Sequence, residues 1–263
     1  NSGNLVFTAP NCGIKCGGAP QKVMWLWESE YRKRGVREDC KIQYHTNLPQ
    51  MFHVKKYADR LDIMAVEKKV EANYRSDLIK IDPKKRIATF KHIDTGVVTT
   101  KPFDAMHVVP HMSPPEELKK SELANSMGFV DVDKETMQHV KYPNVFACGD
   151  SSNLPTSKTA AAITSQVPIM VHNLFRQMKG QTLNAKFDGY TSCPIFVGDN
   201  KLMLCEFLYG LNVQETFPWD QGEPSQIFFH MKKDFFPPVY WNFFVSGMWY
   251  GKRGWIPPFL PKD

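Results

Sequence analysis

Two of the six cysteines lie in sequence settings that could support thiol chemistry. Cys16 occupies a glycine-rich turn at residues 15–20, immediately before a predicted helix. The positive end of that helix and the neighbouring Lys15 and Lys22 should favour the thiolate, which is the nucleophilic form of cysteine. Cys193 lies at the predicted joint between a loop and a strand. Cys16 therefore looks like a reactive position, and the context of Cys193 alone leaves its role open.

The other cysteines are interpreted as structural or stay open. Cys40, Cys148 and Cys205 lie within or beside predicted strands, where a thiol usually behaves as a small buried apolar group. Cys12 is ambiguous. The pair Cys12 and Cys16, without a second Cys or His pair at zinc spacing, makes a poor metal site, so we expect no metal.

A second candidate site follows the strand predicted at residues 142–148. That strand ends in Gly149-Asp150, which places a carboxylate at the edge where open α/β sheets bind ligands. Lys158, Thr159 and three alanines come next and begin a helix, whose first-turn N–H groups attract electron-rich ligands. The combination suits a flavin, because the helix end and Lys158 would stabilise negative charge on the reduced ring. The alternative is that Asp150 is an ordinary turn residue.

The composition is that of a globular chain with a substantial core. The chain has 263 residues, 42% of them hydrophobic, which allows one large domain or two modest ones. Six cysteines are too few for a disulfide scaffold. The formal net charge is +6, but 27 acidic residues are interspersed among 33 basic ones, so nothing indicates nucleic-acid binding.

Strands and helices alternate from residue 1 to about 110, as in an α/β unit. The predicted elements are a strand at 5–9, a helix at 20–34, a strand at 41–46, a helix at 57–70, an antiparallel ribbon over 72–100 and a strand at 106–110. A proline-rich crossing then predicts a domain boundary near 110. Beyond it we predict a helix at 158–178, with a kink at Pro168, and a hairpin at 195–207. Because the chain opens on a strand without an initiator Met, we interpret it as part of a longer protein.

The last segment is rich in aromatic residues. Its uncharged run, residues 235–251, contains Pro237 and Pro238 and falls short of the roughly 20 apolar residues of a spanning helix. Lysines and an arginine flank it, as in segments that lie in the membrane interface. We therefore predict a monotopic membrane contact, cut into short pieces by its prolines. The alternative is an aromatic core or a subunit interface.

Five motifs follow one another along the chain. They are residues 15–22 (KCGGAPQK), 112–115 (MSPP), 129–133 (FVDVD), 144–162 (NVFACGDSSNLPTSKTAAA) and 189–194 (GYTSCP). Together they resemble the sulfide:quinone oxidoreductases, particularly the animal mitochondrial type, and the resemblance extends over nearly the whole chain.

The resemblance implies an α/β fold of two Rossmann-like domains of the FAD/NAD(P)-linked disulfide reductase type, with an amphipathic aromatic carboxyl-terminal tail. The first domain would be incomplete, because the family's amino-terminal phosphate-binding segment is absent from this sequence. We expect residues 1–110 to be a partial second Rossmann domain and 111–190 the carboxyl-terminal part of the FAD domain. Residues 191–263 would form the hairpin and the region facing quinone and membrane.

The resemblance also assigns roles to residues. Cys16 and Cys193 match the redox pair, and FAD-contacting positions match Gly149, Asp150, Lys158 and Thr159. Hydrosulfide would attack a disulfide at Cys193, leave a persulfide there and release Cys16 as a thiolate beside the flavin. The sulfur would pass to glutathione or sulfite, and the electrons to ubiquinone. The implied location is the matrix side of the mitochondrial inner membrane, as a peripheral protein.

Candidate quinone contacts are Phe229, Lys232, Phe236 and Tyr240, and Lys22 is a weaker candidate for stabilising charge near the flavin. Two departures from the family are Ser151, where relatives often have Cys, and the extra Cys12; we expect activity to survive both. One alternative is a type II NADH:quinone reductase-like flavoprotein, against which the two cysteines argue. The other is an inactive membrane-peripheral fragment, which would bind FAD poorly.

Overall fold

The computed structural model describes residues 3–259, so the ends of the predicted first and last domains, at residues 1–2 and 260–263, lie outside the described residues. The chain forms two compact units. Unit 1 contains residues 3–112, 194–205 and 219–229, and unit 2 contains residues 113–193, 206–218 and 230–259. The predicted boundary near 110 falls close to the first of these divisions. The predicted third segment, 191–263, is instead shared between the two units.

The strands of the described residues are β1 (Gly3–Thr8), β2 (Cys40–His45), β3 (Val70–Asn73), β4 (Ser76–Asp82), β5 (Ile87–His92), β6 (Val98–Pro102), β7 (Ala105–His107), β8 (Thr191–Gly198) and β9 (Lys201–Phe207). The α-helices are α1 (Ala19–Lys33), α2 (Lys55–Glu67), α3 (Glu116–Lys119), α4 (Ala160–Met178), α5 (Gln226–His230) and α6 (Phe236–Val239).

Unit 1 is built on a parallel sheet with the order β3-β2-β1-β7. Two crossover helices, α1 and α2, connect its first three strands, as parallel pairing requires. The run Leu5-Val6-Phe7 is buried because a parallel strand is covered on both faces. This arrangement is the α/β unit that the alternation of strands and helices predicts, and it fits the Rossmann-like domain that the resemblance implies.

Helix α1 matches its prediction closely. Pro20 lies in its first turn, where the missing N–H is not needed, and Arg32 and Lys33 complement the dipole at its end. Met24 and Trp25 on its inner face are completely buried.

The antiparallel sheet of unit 1 has the order β4-β5-β6. The sequence places the start of this ribbon at Ala72, which is wrong. Val70–Asn73 pairs in parallel with β2, and the antiparallel pairing begins only at Ser76. The alternation of polar and apolar residues is the same in both strands, so it cannot show which neighbour each strand takes.

Unit 2 packs its core against helix α4. The buried cluster is formed by Val130, Val132, Met137, Leu154, Phe187 and Tyr190. The prediction of a strand at residues 142–148 is wrong, because this segment forms only the isolated β-bridge between Gln138 and Phe146. A short apolar run is compatible with a strand, but a strand forms only where a ladder of partners exists. Helix α4 lies within the predicted range 158–178 and contains Pro168, as predicted; the kink at Pro168 stays a prediction.

Strands β8 and β9 form the predicted hairpin, but β8 begins earlier than expected. It starts at Thr191, so Cys193 lies inside the strand and not at a loop-to-strand joint. Asp199 and Asn200 both have positive φ, 54° and 55°, as a tight two-residue hairpin turn requires.

The carboxyl-terminal aromatic segment is helical from Gln226 to Phe244. Helix α6, which contains both prolines in its first turn, lies between two π-helical turns, Met231–Phe235 and Tyr240–Phe244. The expectation that Pro237-Pro238 cuts the segment is therefore wrong, since wider turns accommodate the missing backbone donors. Within residues 3–259 there is no helix of the length and apolarity needed to cross a bilayer.

Candidate functional site

Cys16 lies in unit 1, in the turn before α1, and is half-buried. The ammonium group of Lys22, one turn into the helix, lies 3.6 Å from its sulfur. The carbonyl of Cys16 accepts a 2.8 Å hydrogen bond from the backbone N–H of Ala19, which closes the turn. The structure thus gives Cys16 the nearby cation that the sequence predicted, from Lys22.

The turn is packed too closely for a side chain after Cys16. A Cβ atom at Gly17 would lie 2.9 Å from Cε1 of His53.

The loop that precedes Cys16 is fixed to Met112. The backbone N–H of Met112 donates to the sulfur of Cys12 at 3.4 Å, and the N–H of Lys15 donates to the Met112 sulfur at 3.5 Å. The ambiguous Cys12 is therefore a structural contact of this loop.

Cys193 belongs to unit 2, and its side chain is completely buried. Its sulfur lies 3.4 Å from the hydroxyl of Ser157. Two residues earlier, the Thr191 hydroxyl donates to the Ser157 carbonyl at 3.1 Å and lies 2.9 Å from the Thr159 hydroxyl. The first strand residues are thus tied to the loop that leads into α4.

A buried Tyr–Glu pair holds the chain just before Cys193. The Tyr190 hydroxyl donates to Glu206 on β9, and the backbone N–H of Thr216 donates to the same carboxylate at 2.9 Å. Burial, with the negative charge of Glu206, raises the pKa of Tyr190 well above its ordinary value, so the phenol stays protonated and keeps donating.

The predicted cofactor residues form one neighbourhood in unit 2. Gly149 and Asp150 lie in a 3₁₀ turn, and Thr159 caps α4 by accepting the N–H of Ala162 at 3.1 Å. Lys158 donates to the Ser152 carbonyl at 2.5 Å, with its ammonium 4.3 Å from the centre of the Phe129 ring. Burial lowers the pKa of Lys158, while the charge of Asp150 acts in the opposite direction.

The four predicted quinone residues are divided between the units. Phe229 lies in unit 1, edge-to-face with Phe196 at 5.8 Å. The other three lie in unit 2, where Lys232 sits 5.9 Å from the Phe236 ring centre and Tyr240 contacts Phe244 at 5.9 Å. Within its unit, the aromatic segment forms a connected ring cluster that also includes Phe235, Phe243, Trp249 and Trp255.

A charged cluster in unit 1 fastens the β8–β9 turn to α1. Glu28, whose side chain is 2% exposed, pairs with Arg32 at 2.6 Å and Lys68 at 3.0 Å. Asp199 in the turn pairs with both cations at 3.0 Å and accepts a 2.9 Å hydrogen bond from Ser29. Helix α1 therefore follows the turn of Cys16 at its amino-terminal end and contacts the hairpin turn near its carboxyl-terminal end.

Sequence reasoning missed Ser157, Thr191 and the Glu28–Asp199 cluster. Glu28 and Asp199 are remote in sequence, and no local pattern connects them. Ser157 and Thr191 stand in the quoted motifs, but a hydroxyl in a loop gives no signal of its own until the fold brings a partner to it.

The parallel sheet with its crossover helices and the inserted antiparallel sheet define unit 1 as a Rossmann-like α/β domain. Unit 2 places a glycine-aspartate turn before α4. The fold is shared with the crystal structure of sulfide:quinone oxidoreductase from Aquifex aeolicus, at a TM-score of 0.75 and 16% identity, over 94% of this chain and 59% of that one. No protein-family model matches the chain.

By sequence, the chain is similar along its whole length to curated mitochondrial sulfide:quinone oxidoreductases. It is 47% identical to the enzyme of Schizosaccharomyces pombe, covering 100% of this chain and 59% of the relative. It is also 47% identical to that of Mus musculus, covering 99% of this chain and 57% of the relative. The chain thus spans less than two thirds of the length of these relatives.

Proposed function

We propose that this chain is the part of a mitochondrial sulfide:quinone oxidoreductase that carries the redox cysteines, and that the whole protein oxidises hydrogen sulfide with ubiquinone as electron acceptor. The observation that carries the proposal is the 47% identity to two enzymes of that name over essentially every residue of the chain. The contact between Lys22 and the Cys16 sulfur supports it at the level of chemistry.

The two cysteines act as a disulfide in this proposal. Hydrosulfide attacks the Cys193 sulfur, the bond between the cysteines breaks, and Cys16 leaves as a thiolate with the electron pair. Cys193 then carries a persulfide. The nearby ammonium of Lys22 favours the charged form of Cys16, and so makes it a better leaving group. A small thiol or sulfite removes the outer sulfur from Cys193.

FAD is the proposed cofactor, and the neighbourhood of Gly149 and Asp150 fits it. The first-turn N–H groups of Ala160 and Ala161 have no intrahelical acceptor, and small side chains leave them accessible. A Cβ at Gly149 would lie 3.2 Å from the Ile163 side chain, so glycine allows the turn to approach α4. Asp150, Lys158 and Thr159 surround this helix end. When bound, the flavin would accept the two electrons released as the Cys16 and Cys193 thiolates close again to a disulfide.

We place the quinone and the membrane at the aromatic carboxyl-terminal segment. Several apolar side chains there are largely exposed, among them Trp241 at 72%, Ile256 at 68% and Val245 at 62%. Lys232 and Lys233 precede the uncharged run 235–251 and Lys252 and Arg253 follow it, as in interfacial segments. The proposed location is the matrix face of the mitochondrial inner membrane.

The proposal is tested by sulfide-dependent quinone reduction in the full-length protein. We expect Cys16→Ser and Cys193→Ser each to abolish turnover, because each removes one half of the disulfide. Cys40→Ser is the matched control; the Cys40 sulfur contacts the Val36 carbonyl at 3.4 Å and takes no part in the reaction. Undiminished turnover in both redox variants would contradict the mechanism. Reduction of the flavin by NADH and not by sulfide would favour the type II NADH:quinone reductase alternative.

A further inference from the structure

The sulfur of Cys193 has a hydroxyl partner that the mechanism above does not use. Cys193 Sγ and Ser157 Oγ are 3.4 Å apart, a hydrogen-bond distance for sulfur, and the Cys193 side chain is 0% exposed. A buried sulfur anion is costly unless a donor compensates it. The structure supplies such a donor, since a hydroxyl accepts from a neutral thiol and donates to a thiolate after a simple rotation.

Ser157 is held in place by its neighbours on both sides. Its carbonyl accepts from the Thr191 hydroxyl at 3.1 Å, and Thr191 and Thr159 hydroxyls lie 2.9 Å apart. The Thr156 hydroxyl donates to the Gly189 carbonyl at 2.7 Å. These bonds attach the loop before α4 to the segment that carries Cys193, so the hydroxyl of Ser157 is directed at the sulfur and is not a mobile surface group.

We propose that Ser157 is a catalytic residue that stabilises the Cys193 thiolate when sulfur leaves the enzyme; this rests on the proposed function. In that step sulfite attacks the outer sulfur of the Cys193 persulfide, and the bond between the two sulfurs breaks. Thiosulfate forms, the proton of the outer sulfur is released, and the electron pair of the broken bond stays on Cys193 Sγ. The Ser157 hydroxyl donates to this new negative charge.

The proposal predicts that loss of the Ser157 hydroxyl affects the two halves of the cycle differently. The first half is the attack by hydrosulfide, and the second is the transfer of sulfur to sulfite. In the attack by hydrosulfide the leaving group is Cys16, so Ser157 contributes little. In the transfer to sulfite the leaving group is Cys193, and a hydrogen bond to a charged group at this point accounts for about a tenfold difference in rate.

The test uses the full-length FAD-loaded protein and follows each half separately. Anaerobic sulfide forms the persulfide, and mass spectrometry of quenched samples gives its rate of formation. Sulfite is then added, and mass spectrometry follows the loss of the extra sulfur from the peptide that contains Cys193. We expect Ser157→Ala to slow this loss about tenfold while persulfide formation stays within about twofold of the wild-type rate. Ser157→Thr keeps the hydroxyl and should restore the rate of transfer.

Three results would contradict the proposal. These are wild-type transfer in Ser157→Ala, equal slowing of both halves, and failure of Ser157→Thr to rescue. FAD content is measured in every variant; if Ser157→Ala does not fold, the comparison of Ser157→Thr with Ser157→Gly replaces it. If the proposed function itself is wrong, Cys193→Ser would still reduce the flavin with sulfide. This result distinguishes failure of the proposed function from failure of the Ser157 proposal alone.

Discussion

Cys16 has a left-handed backbone, with φ of 52°, which is uncommon for a residue with a side chain. Such a conformation costs free energy and persists where the surroundings fix it, often at functional sites. Here the bond from Ala19 N–H to the Cys16 carbonyl closes the turn. The sequence could predict a turn before a helix from its glycines, but not that the cysteine itself takes the left-handed position.

The contact between Lys22 and Cys16 leads to a first prediction. Lys22→Met removes the cation 3.6 Å from the sulfur, so the thiolate loses its favourable partner. We expect alkylation of Cys16 by iodoacetamide at neutral pH to slow by up to about tenfold in the reduced protein. Mass spectrometry of the Cys16 peptide gives the rate. Lys33→Met, an exposed lysine at the other end of α1, should leave the rate unchanged.

A second prediction concerns His45, which is buried in unit 1. Its ring stacks on Phe90 at 3.6 Å and its Nδ1 lies 2.8 Å from the Ser76 hydroxyl. Burial, reinforced by the charge of Lys101, lowers the pKa of His45 to about 4. Because the unfolded chain binds this proton near pH 6.5 and the folded chain does not, the stability that the neutral ring contributes is complete above that pH. It is lost as the pH falls to about 4.

The measurement is the free energy of unfolding in urea between pH 6.5 and pH 4. His45 alone accounts for a loss of about 3 kcal/mol over this range. His45→Phe should remove that part of the pH dependence. His111→Gln, at an exposed position, should follow the wild-type curve. A His45→Phe curve parallel to the wild type would show that the proton is taken up elsewhere.

At the scale of elements, the cluster around Glu28 gives a third prediction. Glu28→Gln leaves Lys68 and Arg32 without the buried carboxylate they share, and breaking a buried pair typically costs about 3 kcal/mol. The expected result is a clear fall in the free energy of unfolding. Glu30→Gln on the same helix removes only the exposed pair with Arg34 and should change stability by less than about 0.5 kcal/mol. Equal effects of the two substitutions would refute the role of the cluster.

The secondary-structure elements differ in how well they could be predicted from the sequence. Strands β1, β2 and β7 and helices α1, α2 and α4 could be predicted because apolar periodicity, Pro20 and the basic last turn of α1 act locally. The parallel strand β3 could not, because its polar and apolar alternation does not show which strand it pairs with. The conformation of residues 142–148 could not be predicted, because an apolar run forms a strand only where a neighbouring strand pairs with it. The two π-helical turns around Pro237 could not either, since the sequence shows that proline disturbs a helix and not how the backbone adapts. The neighbourhood of Gly149 and Thr159 follows from one contiguous motif, whereas the contact of Ser157 with Cys193 joins distant parts of the chain.

At the scale of the whole molecule, a fourth prediction concerns attachment to membranes. We expect the full-length protein to float with vesicles of mixed anionic and neutral phospholipid, and Trp241→Ser with Ile256→Ser to reduce the bound fraction several-fold. Both side chains are more than two thirds exposed and apolar, as an interfacial contact requires. Val66→Ser is the matched control, because Val66 is 80% exposed but lies on α2 in unit 1. Unaltered flotation of the double variant would place the membrane contact elsewhere.

The two units alternate along the chain, since each is assembled from three separate stretches. Neither can therefore be inherited, exchanged or deleted as one continuous stretch of gene. A recombination event at residue 112 would separate Glu28 from Asp199, and one at residue 193 would remove Glu206 from Tyr190. A chimaera of two relatives with a single crossover at either position should therefore keep its stability only where both parents supply matching partners for these pairs.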